Sequence, residues 1–180
     1  KMFLDRQVEG LIYGTRYHRA VTPPDLLREI PSVLLDCFVV DHSLPSVVPD
    51  EVGGGYKATR VLLEKGHRRV GFANNKDPIP ATAARLQGYV AALTEQGIPF
   101  DSTLVVADSS DSDGGYRGAQ KLMQLPNAPT ALFCFNDRMA MGAYYALREH
   151  KLSVPKDVAV IGFDNQEIIA AHLNPPLSTM

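Results

Sequence analysis

Residues 131–165 read ALFCFNDRMAMGAYYALREHKLSVPKDVAVIGFDN. The apolar run at 130–136 stops on Asn136-Asp137, and the run at 157–164 stops on Asp164-Asn165. Between them Met139, Ala143 and Leu147 recur on one face of a segment, 138–150, that reads as an amphipathic helix. A near-continuous apolar strand, a helix and a second such strand form a right-handed crossover unit, whose strands lie parallel in a sheet covered on both faces. Both strands then end in polar residues at the same edge of that sheet.

The unit repeats along the chain. Apolar, β-rich runs occur at 8–14 (VEGLIYG), 32–36 (SVLLD), 69–74 (RVGFAN) and 102–108 (STLVVAD). Thr22-Pro23-Pro24-Asp25 is read as a cap with proline in the first turn of a short helix that carries Leu26, Leu27 and Ile30 and stops at Pro31. Segments 54–65 and 83–96 are helical by apolar spacing and close on Gly66 and Gly97; segment 115–125 repeats the pattern with Ala119, Leu122 and Met123. The fold class is therefore α/β, with doubly wound parallel sheets. Of the six strands only two precede the junction EKGHRRV, too few for a closed sheet, so the first part is expected to be a piece of a larger domain. The extended ending NPPLSTM carries the same expectation.

Composition excludes several classes. The 180 residues carry a formal charge of −2, and His67-Arg68-Arg69 is the one short basic cluster, so no stripe for a polyanion is present. Cys37 and Cys134 lie in apolar runs and read as core residues rather than a disulfide or metal pair. No apolar run reaches a membrane span, and the start KMFLDRQVEG lacks the pattern of a leader peptide, which favours a reduced, cytoplasmic setting. Enzyme signals are weak: GGGYK at 53–57 is neither phosphate-loop pattern, and His18, His42, His67, His150 and His172 are scattered without ligand spacing. DSSDSDGG at 108–115 is like a calcium-loop fragment without the closing glutamate, and reads as a polar loop and helix cap. No enzyme activity, cofactor or metal is expected.

In an open parallel sheet, ligands bind beyond the carboxyl ends of the strands. Asn74, Asn75, Asp108, Asn136, Asp137, Asp164 and Asn165 all fall at that edge, although turn and cap chemistry also accounts for any one of them. Arg85 opens the helix after the 69–74 strand, where the helix dipole disfavours a cation. It is either solvated or aimed at the same edge, where its planar fork grips vicinal hydroxyls. Facing Arg85, Asp164 would accept from those hydroxyls; the pair equally describes a salt bridge.

The phrases DEVGGGYKATRVLLEKGHRRVGFAN, ATAARLQGYVAAL, NDRMAMG, VPKDVAVIGFDN and NPPLSTM, in this order, resemble the effector-binding domain of LacI/GalR-family transcription regulators. The family's matching patterns are D-N-x-x-G, L-x-x-x-G-H-R-x-I, R-x-x-G-[YF], N-D-x-x-A-x-G, V-P-x-D-[IV]-x-[IV]-[IV]-G-[FY]-D and P-[PS]-L-[ST]-T. The resemblance implies a periplasmic-binding-protein-like (type I) fold of two Rossmann-like subdomains with a sugar-like effector in their cleft. Residues 1–67 then form part of the N-terminal subdomain, 68–176 the C-terminal one, and 177–180 a strand crossing back. It also implies a homodimer, and operator DNA bound through a head domain outside this chain. Effector contacts carry over to Arg85, Asn136 and Asp164, with Asn74, Ser110 and Phe163 as further candidates, while Asp137 and Asn165 are left with capping and loop roles. Ser109 or Ser110 stands where the family often stacks an aromatic ring, and Gly53 where some sugar-binding members carry an acid. Arg85→Ala or Asp164→Ala is expected to abolish the effector response with the fold kept. The competing classes are a periplasmic sugar-binding protein of a transporter or chemoreceptor, and a nucleotide-dependent enzyme, which lacks its phosphate loop here.

Overall fold

The computed structural model describes residues 8–180. Residues 1–7, where part of the first expected subdomain and of the leader-peptide reading falls, lie outside the described residues. The chain divides into two units, Lys1–Asp50 with Ile79–Ala81, and Glu51–Pro78 with Thr82–Met180.

In the first unit β1 (Leu11–Ala20), β2 (Ser32–Phe38) and β3 (Ser46–Val47) form a parallel sheet in that order, with α1 (Leu26–Glu29) between β1 and β2. Leu27, Leu34, Cys37, Val39 and Leu44 make its core, with Tyr13 and Val21 packed against them. Burial alternates along β2, and Val33 and Leu35 on its other face are 37% and 48% exposed. The apolar run had predicted burial on both faces; the described residues of this unit cover one. β1 runs six residues beyond the expected end at 14 because a register shift between Gly14 and Arg19 lets pairing resume at Arg19 and Ala20. The N-cap of α1 is Asp25, without a side-chain bond, rather than Thr22. β3 escaped the sequence reading because Pro45 and Pro49 bracket it and mark it as a turn.

The second unit is a five-stranded parallel sheet in the order β5-β4-β6-β7-β8. Its strands are β4 (Val70–Asn75), β5 (Val105–Asp108), β6 (Ala131–Cys134), β7 (Ala159–Gly162) and β8 (Ser178–Thr179). Helices α2 (Glu51–Glu64), α3 (Pro80–Glu95), α4 (Ser112–Met123) and α5 (Asp137–Glu149) accompany it, and a single turn, α6 (Glu167–Ala170), follows β7. Phe72 of β4 and Phe133 of β6 stack with centroids 4.4 Å apart, and the buried Tyr89 hydroxyl donates to the Val70 carbonyl at 2.8 Å. Desolvation raises the Tyr89 phenol above its ordinary range, so it remains a neutral donor.

Two glycines fix where α2 meets α3. A Cβ on Gly88 would run into the Val52 carbonyl and the Tyr56 amide, and one on Gly55 would run into the backbone of Arg85. Without side chains there the helices touch backbone to backbone. This packing joins α2 to the second unit, which begins at Glu51. Residues 178–179 pair with Ile161 and Gly162 as the edge of the second sheet.

Candidate functional site

At the carboxyl ends of β4, β6 and β7 the chain presents Asn74-Asn75, Phe135-Asn136-Asp137 and Phe163-Asp164-Asn165. Arg85 reaches them from α3. The helix begins at Pro80, three residues earlier than expected, because proline suits the first helical position. Arg85 therefore sits in the second turn, away from the unfavourable end of the dipole, and is 5% exposed.

Its guanidinium is held on every side. Nε donates to Glu51 Oε2 at 2.7 Å, Nη1 donates to the Phe135 carbonyl, and Nη2 lies 3.5 Å from Asp164 Oδ1. Its central carbon lies 3.6 Å from the Phe163 ring centroid and 4.3 Å from that of Phe135, within cation–π range of both rings. The Phe163 ring fits beside α2 because position 54 is glycine, where a Cβ would sit about 2.5 Å from it. Glu51 is itself 5% exposed, whereas the Asp164 side chain is 36% exposed. A buried Arg–Glu pair thus presents an open carboxylate beside the remaining guanidinium N–H groups.

Asp164 keeps this position through a strained loop. It has φ +95°, and Asn165 has φ +49°, a left-handed region that costs a residue with a Cβ. The loop is tied down by the fully buried Asp137: Thr179 Oγ1 donates to its Oδ1 at 2.6 Å and the Gln166 amide to its Oδ2 at 2.6 Å, while its own amide donates to the Phe163 carbonyl. Desolvation raises the Asp137 carboxyl above its ordinary value, against these hydrogen bonds. Burial also raises Asp164, and Arg85 opposes that shift.

The candidate residues separate on this geometry. Arg85, Asp164 and Phe163 come together. Asn136 is the N-cap of α5: its Oδ1 accepts from the Met139 amide at 2.8 Å and its Nδ2 donates to the Ser110 carbonyl at 3.0 Å. Capping, expected of Asp137, therefore falls to Asn136, because the cap precedes the first helical residue and Asp137 is that residue. Asn74 spends its side chain on its own loop, accepting from the Asn75 amide and donating to the Thr82 carbonyl. Ser110 contributes its carbonyl to Asn136. In the 108–115 loop Asp111 caps α4 through the Gly114 amide, and Asp108 pairs with Arg117 at 2.6 Å, which holds its carboxyl down at about 2.

Sequence reasoning missed Glu51, Phe135 and the bracing role of Asp137. An acid in the first turn of a helix is ordinary dipole chemistry, so nothing local marks Glu51 as the partner of a residue 34 positions away.

Residues 59–180 match the periplasmic binding protein-like domain family. The ribose operon repressor of Haemophilus influenzae is 33% identical over 98% of this chain and 53% of its own length. The chain thus spans about half the length of the curated relatives it matches. Among solved structures, a LacI-family transcriptional regulator from Rhizobium etli superposes with a TM-score of 0.86 at 30% identity, covering 99% of this chain and 66% of that one. The transcriptional regulator CelR in complex with cellobiose gives 0.75 at 29% identity, over 99% of this chain and 55% of that one. The chain belongs to the periplasmic binding protein-like domain family, in the form carried by LacI-family transcription regulators.

Proposed function

We propose that this chain is the effector-sensing part of a LacI-type transcriptional repressor, and that a sugar or sugar derivative binds at Arg85 and Asp164. One observation carries the reading: the Arg85 guanidinium, immobilised by Glu51, Phe135 and Phe163, stands 3.5 Å from a partly exposed carboxylate at the carboxyl edge of a parallel sheet. A rigid donor plane beside an acceptor matches adjacent hydroxyls of a polyol, since each hydroxyl both donates and accepts. The likeness to a regulator solved with cellobiose supports the ligand class.

The effector acts by preferring one conformation of the domain. Its influence on operator affinity is bounded by that preference, and is passed to a DNA-binding head outside these residues, within a cytoplasmic homodimer. The chain performs no reaction. A thermal-shift screen of the full-length protein against sugars, sugar phosphates and nucleobases tests this: a sugar raises the Tm and changes operator retention in a mobility-shift assay. A sugar-independent Tm, or an operator complex indifferent to every ligand that binds, would contradict it.

A further inference from the structure

Glu51 changes the charge of the site. Among the described residues the Arg85 guanidinium has two carboxylates in contact, Glu51 at 2.7 Å and Asp164 at 3.5 Å, and the buried Asp137 is braced to the same loop. Two carboxylates thus contact one cation. The guanidinium's Nε–H and one N–H of Nη1 are spent on protein acceptors, Nη2 lies 3.5 Å from Asp164 Oδ1, and the Phe163 and Phe135 ring centroids lie 3.6 and 4.3 Å from its central carbon. What remains without a hydrogen-bond partner among the described residues belongs to a cation that already faces two carboxylates.

Such a group still hydrogen-bonds hydroxyls, but it has no net attraction to offer a phosphate or carboxylate, which would meet the Asp164 carboxylate at short range in a partly desolvated place. We propose that Glu51 is a specificity-determining residue that neutralises Arg85, so that the site accepts an uncharged polyhydroxy ligand and rejects phosphorylated or carboxylated ones. The inference rests on the reading of Arg85 and Asp164 as effector contacts.

Titration calorimetry on the full-length protein tests it, with ribose, glucose and cellobiose as probes, each against its terminal phosphate ester, and glucuronate against glucose. The wild type binds at least one neutral probe, and binds the charged counterpart at least tenfold more weakly. Glu51→Gln, which keeps an acceptor for Arg85 Nε, narrows the ratio of charged to neutral affinity at least tenfold. Should that variant fold poorly, Glu51→Asn, a neutral amide one methylene shorter, is the second variant, read by the same criterion. A charged counterpart bound as tightly as its neutral parent, or a gap unmoved in the Glu51 variant that folds, overturns the proposal. If Asp164→Asn leaves neutral binding untouched, the site assignment itself has failed, and the role of Glu51 falls with it. If Asp164→Asn abolishes binding while anions still bind well, only the role of Glu51 is lost. If none of the probes binds, both readings fall.

Discussion

Arg85 donates to Glu51 at 2.7 Å with both side chains almost wholly withdrawn from water, 7% and 5% exposed. This pair changes the consequence of the obvious mutation. The sequence alone predicts that Arg85→Ala removes the effector response with the fold kept. Yet it would leave the Glu51 carboxylate buried without its cation, a loss on the order of 3–5 kcal/mol. Urea denaturation of Arg85→Ala is expected to show that loss, and the double variant Arg85→Met with Glu51→Gln to recover much of it. A single variant as stable as the wild type would mean that Glu51 finds water or another partner.

Asp164 has the opposite balance of roles. At φ +95° its Cβ is a cost that glycine does not bear. Asp164→Gly is expected to raise stability by about 0.5–1 kcal/mol and to remove effector binding, the pattern of a strained functional residue. A fall in Tm would show that the carboxylate contributes more to the fold than its backbone costs.

Asn136→Ala tests the cap at α5. Loss of the bond to the Met139 amide and of the contact to the Ser110 carbonyl should cost about 1–2 kcal/mol. Asn136→Asp, which restores the cap acceptor, should recover most of it. If binding alone changes and stability does not, Asn136 contacts the effector more than it caps the helix.

Gly88→Ala places a methyl group against the Val52 carbonyl and the Tyr56 amide. Neither is a side chain that can turn away, so a loss of at least about 2 kcal/mol in chemical denaturation is expected. A neutral outcome would require α2 and α3 to separate freely.

Two carboxyls give opposite slopes against pH. Asp137 titrates above its ordinary 3.8 in the folded state because burial disfavours the charge. The folded protein then holds the extra proton, and the stability tied to Asp137 is present below 3.8 and lost as pH rises through the raised value. Asp108, held at about 2 by Arg117, contributes stability present above 3.8 that is lost as pH falls towards 2. Denaturation between these pH values should show Asp137→Asn flattening the decline above 3.8 and Asp108→Asn flattening the one below it.

The legible part of this protein was periodicity. Unbroken apolar runs at 69–74, 130–136 and 157–164, with helices between, suffice for a parallel sheet and for the edge at which polar residues gather. Arg85 and Asp164 stand out in the sequence because their chemistry is conspicuous at that edge, and the fold brings them to 3.5 Å. Glu51 was not, since its partner is 34 residues away and only the glycine contact of α2 with α3 brings them together. The cap fell to Asn136 instead of Asp137 for a related reason: a cap depends on which residue first takes helical dihedrals, and a one-residue difference in that boundary decides it. Strands as short as β3 and β8 carry too few residues to show any period.

The most direct measurement is the dissociation constant of a neutral sugar that binds the full-length protein, compared between wild type and Asp164→Asn. Asparagine tolerates the left-handed backbone and keeps the side chain's size, so the fold is retained while the charged acceptor is lost. At least a tenfold weakening, with an unchanged unfolding midpoint in the absence of sugar, is the predicted result. An unchanged dissociation constant would contradict the assignment of the effector to Arg85 and Asp164.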